Sequence, residues 1–354
     1  MSALLDRLKK SGSIKSAEML SKSSFFMAKD IIPTDLPILN LAFSGDVDGG
    51  LVPGLTIFAG MSKTFKTLSA LYCMKAYFNK YPDAVCLFYD SEFGVTPEYL
   101  VSNGIDADRV LHIPIEHVEQ LKFDIVKRLE EIKRGDKVFI MVDSLGALAS
   151  KKEVEDAGEE KSVADMSRAK AIRSLLRIIT PHLTTKDLPC IIINHVYQTM
   201  ELYSKTVIPG GTAVTYSANQ IFVFGKAQEK DGTDLIGYNF TINIEKSRYV
   251  REKAKFPFTV TYEDGIQKYS GLLDIALEGG FVQKPSNGWY SKTDLKTGVM
   301  EEKKYRLKET NTSEFWEPIL ACSEFKEYVR KSYKLGSSVM SEQEVPAEED
   351  EDVE

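Results

Sequence analysis

An α/β fold, with a mostly parallel sheet covered by helices on both faces, is predicted by three features of the sequence. Apolar runs such as "AVCLFYDSE" (84–92), "KVFIMVDS" (137–144) and "CIIINHV" (190–196) show no alternation, as expected of strands buried on both sides. Segments with the spacing of amphipathic helices lie between them. After about residue 220 the apolar residues alternate by twos, which marks antiparallel strands added at one edge.

In chain order, residues 1–30 read as a basic amphipathic helix and a hinge, "SKSSFFMAKD", that carries the aromatic pair Phe25 and Phe26. The core is expected over 31–268. It opens with the strand "LTIFAG" (55–60), a turn, and the helix "KTLSALYCMKAYFNKY" (66–81). After the strand at 84–92, "HVEQLKFDIVKRLEEIKRG" puts Val118, Leu121, Ile125, Leu129 and Ile132 on one helical face, closed by Gly135. The strand at 137–144, the helix "ADMSRAKAIRSLLRIITPHL" (164–183) and the strands at 190–196 and 220–226 follow. "GYNFTINIEKSRYV" and "KFPFTVTYEDG" supply the antiparallel edge. A small aromatic-rich α+β module is expected over 269–335 and a disordered acidic tail over 336–354.

Composition narrows the class. Of 354 residues, 43% are hydrophobic and 27% charged, ordinary for a globular protein. No apolar run reaches the roughly 18 residues of a membrane span, and the first residues lack the apolar core of a signal peptide. Cys73, Cys86, Cys190 and Cys322 are scattered, so they read as thiols in a reducing compartment. The net charge of −7 lies largely in the final "SEQEVPAEEDEDVE", a solvated tail or a competitor of a polyanion for a basic surface.

The chemistry starts at "GMSKTFKT". A phosphate-binding loop follows G-x-x-x-x-G-K-[ST]. Gly60, Lys66 and Thr67 fit, with Met61, Ser62, Lys63 and Thr64 between them, but Phe65 stands where the second glycine belongs. A phenylalanine there calls for ordinary backbone angles, so a loop of altered shape is expected. The position is right for phosphate: a strand precedes the loop and a helix N-terminus follows it. Lys66 would reach the outer phosphates and Thr67 would hold Mg²⁺. Asp143, ending a buried strand, would join the Mg²⁺ shell. Glu92, just past the first strand after the loop, would activate water, with Asp90 as a structural partner. Asn194 and His195 belong on the same rim, placed to sense the terminal phosphate. Two polar rim stretches, "SKKEVEDAGEEKSVAD" (150–165) and "YQTMELYSKTVIPGG" (197–211), could embrace a polymer.

Together "VPGLTIFAGMSKTFKT", "AVCLFYDSEFGVTPEYL", "KVFIMVDSLGALASK", "LPCIIINHVY" and "GGTAVTYSANQIF" resemble the RecA-type recombinases, and within them the branch carried by T-even bacteriophages. The resemblance runs from about 30 to 335. That branch also carries phenylalanine before the lysine; bacterial members have glycine there, and glutamine where His195 stands. The resemblance implies a helical filament of this chain on single-stranded DNA, with ATP and Mg²⁺ between adjacent subunits, Glu92 as catalytic base, and residues 1–30, with Phe25 and Phe26, as an oligomerisation segment packed on the next subunit. It implies that Tyr99, and Tyr262 from a neighbour, pack on adenine, and that Lys246 and Arg248 reach the neighbour's phosphates. Two cations one residue apart on a strand would face the same side. The two polar loops would bind DNA, through Lys151, Lys152, Arg168, Arg173, Tyr203, Lys205 and the Gly210–Gly211 pair. Contacts mainly to phosphates make that binding sequence-independent and salt-sensitive. The implied activity is homologous pairing and strand exchange with single-stranded and duplex DNA. The implied partners are a single-strand-binding protein and a loading mediator, and the implied place is the host-cell cytoplasm. The rival readings are a hexameric helicase motor, a regulatory paralogue without strand exchange, and a small-molecule kinase.

Overall fold

The structure is a computed structural model that describes residues 3–14, 17–23, 30–158, 167–198, 206–231, 234–263, 265–294 and 297–336. Phe25, Phe26, Tyr203, Lys205 and the acidic tail beyond Gly336 lie outside the described residues. Near the N-terminus, helix α1 (Ala3–Ser11) buries none of its residues.

The core is a nine-stranded sheet. Strands β1 (Gly54–Gly60), β2 (Val85–Asp90), β3 (Val110–Pro114), β4 (Val138–Asp143), β5 (Pro189–Asn194) and β8 (Gln220–Asp231) run parallel, in spatial order β8-β1-β5-β4-β2-β3. On the far side of β8, β9 (Asp234–Lys246), β10 (Lys255–Thr261) and the short β11 (Gly265–Ile266) add antiparallel. The expected edge additions are therefore present. A small two-stranded sheet pairs β6 (Tyr197–Gln198) with β7 (Thr206–Val207). Strand β3 has no counterpart in the sequence reading. It is short and forms the free edge, and its Leu111 and His112 are exposed, so it lacks the apolar signature of its neighbours.

Alternate residues of each central strand feed two cores. Phe58, Phe88, Phe139 and Phe222 face one side, under α2 (Pro37–Ser44) and α3 (Lys66–Lys80). Leu55, Ile57, Ile140 and Ile192 face the other, under α5 (Val118–Glu131) and α7 (Ser167–Lys186). On α5 the expected face is buried at Val118, Leu121, Ile125 and Leu129, and Ile132 caps the helix, partly buried. The remaining core helices are α4 (Pro97–Ser102), α6 (Lys151–Gly158) and α8 (Thr212–Ser217).

The C-terminal part holds α9 (Leu272–Glu278), the three-stranded sheet β12 (Val282–Ser286), β13 (Trp289–Lys292) and β14 (Tyr305–Arg306), then α10 (Ser313–Ala321) and α11 (Ser323–Tyr333). It is strapped to the core by Arg330–Asp46 at 2.6 Å, Lys326–Asp48 at 2.8 Å and a bridge between Val250 and Lys334.

Candidate active site

The parallel strands deliver their C-terminal ends to one rim, where open α/β sheets bind ligands. A cleft of about 300 Å³ opens there, lined by Ser62, Lys63, Thr64, Phe65, Lys66, Thr67, Glu92, Tyr99, Asp143 and His195. Residues distant in sequence are thus brought to one place by the ends of β1, β2, β4 and β5.

The loop after β1 corrects one expectation. Phe65 does not keep ordinary angles: it sits in the left-handed region at φ 73°, ψ 13°, as the N-cap of α3. For a residue with a Cβ that costs roughly 1–2 kcal/mol. What holds it is the antiparallel ribbon. The Phe65 ring lies 5.0 Å from Phe240 of β9 and 5.7 Å from Phe258 of β10, centroid to centroid. The phenylalanine occupies glycine's conformation and is kept there by packing. Gly60 is needed for space, since a Cβ there would stand 2.8 Å from both the Phe224 carbonyl oxygen and Thr64 Oγ1.

Lys66, 5% exposed, donates from Nζ to the Met61 carbonyl at 2.7 Å, and burial pulls its pKa down against the opposing pull of Asp143 and Glu92. Thr67 Oγ1 donates to Asp143 Oδ2 at 2.7 Å. Asp143 is 4% exposed, and its Oδ1 is buried without a hydrogen-bond partner. Burial raises its pKa to about 6, with the carboxylates of Glu92 and Asp90 adding to the rise. An orphaned buried carboxylate oxygen beside a threonine hydroxyl, facing a phosphate-sized cleft, fits a hard divalent cation. Among the described residues no group of three or more His, Cys, Asp or Glu side chains could hold an ion. Mg²⁺ is held in such sites by one or two protein ligands beside waters and phosphate oxygens, and the Thr67–Asp143 pair supplies that many.

Glu92 enters from the turn after β2. Its Oε1 accepts from Ser144 Oγ at 2.5 Å and meets His195 Nε2 at 2.7 Å. Burial pushes Glu92 up, but the hydrogen bonds from these two partners, with the charge of Lys66, outweigh it and hold the carboxyl below its usual pKa, which favours the ionised form. Asp90 is the structural partner expected of it, its Oδ1 accepting from the Glu92 and Phe93 amides at 2.9 and 2.8 Å. At the tip of β5, Asn194 Nδ2 donates to the Pro209 carbonyl at 2.9 Å. The rim therefore connects directly to the segment 206–211. In that segment Gly210 leaves no room for a side chain: a Cβ there would stand 2.6 Å from Val214 Cγ2.

Other expected residues lie away from the cleft. Tyr262 is 66% exposed at the end of β10, edge-on to Tyr238. Lys246 ends β9, and Arg248 is exposed in the turn beyond, so the pair does not share a strand face. Lys246 donates to the Thr215 and Ala218 carbonyls at 2.5 and 2.8 Å, closing the C-terminus of α8. Lys151 and Lys152 are exposed at the start of α6, and Arg173 is exposed on α7. Arg168 is turned inward. It donates to the carbonyls of Leu148 at 2.6 Å and Gly146 at 3.0 Å, and so shapes the turn after Asp143. Gly211, at φ 60°, caps α8.

Sequence reasoning passed over Ser144, His112, Phe240 and Phe258. Ser144 follows Asp143 directly and carried a signal, a hydroxyl at a strand tip. The two phenylalanines carried none, because only the β9–β10 register, Phe240 opposite Phe258, sets them under the loop.

Residues 30–267 match the family profile described as the RecA N-terminal domain. Residues 269–329 match the profile of the C-terminal domain of the bacteriophage T4 recombination and repair protein. The chain is 52% identical to the "Recombination and repair protein" of Enterobacteria phage T4 over 99% of its own length and 90% of that protein's. It is 28% identical to "Protein RecA" of Streptomyces avermitilis over 74% of this chain and 68% of that one. Against "Protein RecA" of Mycobacteroides abscessus it is 26% identical, over 90% of this chain and 88% of the other. With a profile match spanning the whole sheet and a half-identical relative along nearly its full length, this chain belongs to the RecA family.

Proposed function

We propose that the chain is a DNA-dependent ATPase recombinase, which forms a helical filament on single-stranded DNA and carries out homologous pairing and strand exchange. The observation that carries this reading is the single cleft that joins Lys66, the Thr67–Asp143 pair, Glu92 and His195. It is coupled through Asn194 to the segment ending the second polar loop.

In the reaction, Lys66 leaves the Met61 carbonyl to meet the outer phosphates of ATP, and Tyr99 gives the base a stacking face. Thr67 and Asp143 would hold Mg²⁺, which when bound would offset the charge of the phosphates. Glu92 takes the proton of the water that attacks that phosphate. Because Glu92 shares a hydrogen bond with His195, and Asn194 next to it holds Pro209, loss of the terminal phosphate is felt at the DNA-binding loops. Lys246, Arg248 and Tyr262 lie outside their own cleft, as residues serving a neighbouring subunit's nucleotide would. We assign DNA contact to Lys151, Lys152, Arg173, Tyr203, Lys205 and the Gly210–Gly211 turn, and a shaping role to Arg168. Single-stranded and duplex DNA are the substrates; a single-strand-binding protein and a loading mediator complete the reading.

Electron microscopy of the chain with single-stranded DNA and a slowly hydrolysed ATP analogue, beside a strand-exchange assay, tests this. Filaments and joint molecules are expected. Closed rings that unwind duplex would favour a helicase motor, and ATP binding with neither filament nor exchange would favour a regulatory paralogue.

A further inference from the structure

We propose that His112 is a positioning residue for Glu92, acting through Asp90 from the free edge of the sheet. The inference rests on the reading of Glu92 as the base.

Asp90 is 1% exposed and ends β2. Its Oδ1 accepts the Glu92 and Phe93 amides, an Asx-type turn that holds Phe93 at φ 56° and turns the Glu92 side chain to the cleft. Its Oδ2 meets His112 Nε2 at 3.1 Å. A carboxylate can only accept, so the proton of that bond sits on Nε2. Among the described residues no other side chain bonds Asp90. His112 lies opposite Phe88 in the β2–β3 register, and its ring is flanked by Phe88 at 5.7 Å and Phe93 at 6.3 Å. It does not line the cleft. The chain of contact is thus His112, Asp90, the backbone of Glu92, and the carboxylate that meets water.

Removing the half-exposed imidazole takes from Asp90 its side-chain partner and opens Oδ2 to water. The cheapest relief is for Asp90 to turn toward solvent, which releases the two amides and the angle of Glu92. A catalytic group displaced by even a fraction of an ångström loses rate while nucleotide binding by the P-loop is untouched.

The test is steady-state ATP hydrolysis on single-stranded DNA by the full chain, with thermal midpoints recorded, for His112→Ala, His112→Asn and His112→Gln. Glutamine places an amide near the position of Nε2; asparagine is too short. His112→Ala and His112→Asn are expected to lower kcat about tenfold with little change in KM, and His112→Gln to restore most of it. In a Glu92→Gln background, which turns over slowly, His112→Asn is expected to change the residual rate by less than about twofold. Unchanged kcat in His112→Asn, failure of His112→Gln to rescue, or an equal further loss in the Glu92→Gln background would each overturn the proposal and leave the base assignment standing. Near-normal turnover by Glu92→Gln alone would instead remove the base assignment, and the proposal with it.

Discussion

At residue 65 the family's usual glycine and this chain's phenylalanine solve one backbone problem in two ways, and the two solutions can be separated by mutation. Phe65→Ala removes the ring from Phe240 and Phe258 but keeps a Cβ in the left-handed region. A half-buried aromatic ring with two ring neighbours contributes about 2–3 kcal/mol. Phe65→Gly loses the same ring but also sheds roughly 1–2 kcal/mol of backbone strain. Against that stands about 0.5–1 kcal/mol for the greater freedom of glycine in the unfolded chain. Glycine should therefore be the milder substitution by about 1 kcal/mol. That is the reverse of the order at an ordinary helical position, where alanine is better by a similar amount. Urea denaturation of the two variants beside the parent measures it. Phe65→Ala at least as stable as Phe65→Gly would refute the account of how this loop is held.

Lys66→Ala should reduce DNA-stimulated ATP turnover by at least about a hundredfold, because no other cation lines the cleft at that depth among the described residues; Lys63, the other lysine there, is exposed. Near-normal turnover would show the site to be elsewhere. A pH-dependent effect is expected at Asp124, where burial acts to raise the pKa but the hydrogen bonds from Arg128 and Tyr89 prevail and depress it. A depressed carboxylate contributes stability that is present above its unfolded pKa near 3.9 and lost as pH falls through the folded value. Asp124→Asn should thus lower the denaturation midpoint at pH 7, with the gap to the parent closing below about pH 4. An equal gap at both pH values would mean that packing, not charge, is lost. DNA affinity should fall steeply and log-linearly with salt, and a flat response would rule out phosphate contacts as its basis.

The parts of the site legible in the sequence are those whose signals are local. Asp143 ends an unbroken apolar strand, Glu92 lies two residues past the end of another, and Lys66 and Thr67 open a helix after a third, so strand tips alone placed them on one rim. What stayed hidden depends on partners distant in the chain. Phe65 cannot be read as left-handed without Phe240 and Phe258. Arg168 looks like a loop cation, but carbonyls 20 and 22 residues before it claim its donors. Lys246 and Arg248 look like neighbours on a strand, yet β9 ends between them. The edge strand β3 escaped notice because one unpaired side and an exposed histidine erase its apolar pattern.

The most direct test of the central claim, that the cleft and the rim loops act as one machine, is steady-state ATP hydrolysis with and without single-stranded DNA at low and moderate salt. The account predicts weak hydrolysis alone and strong stimulation by single strands that fades as salt rises. Robust hydrolysis indifferent to DNA would contradict it.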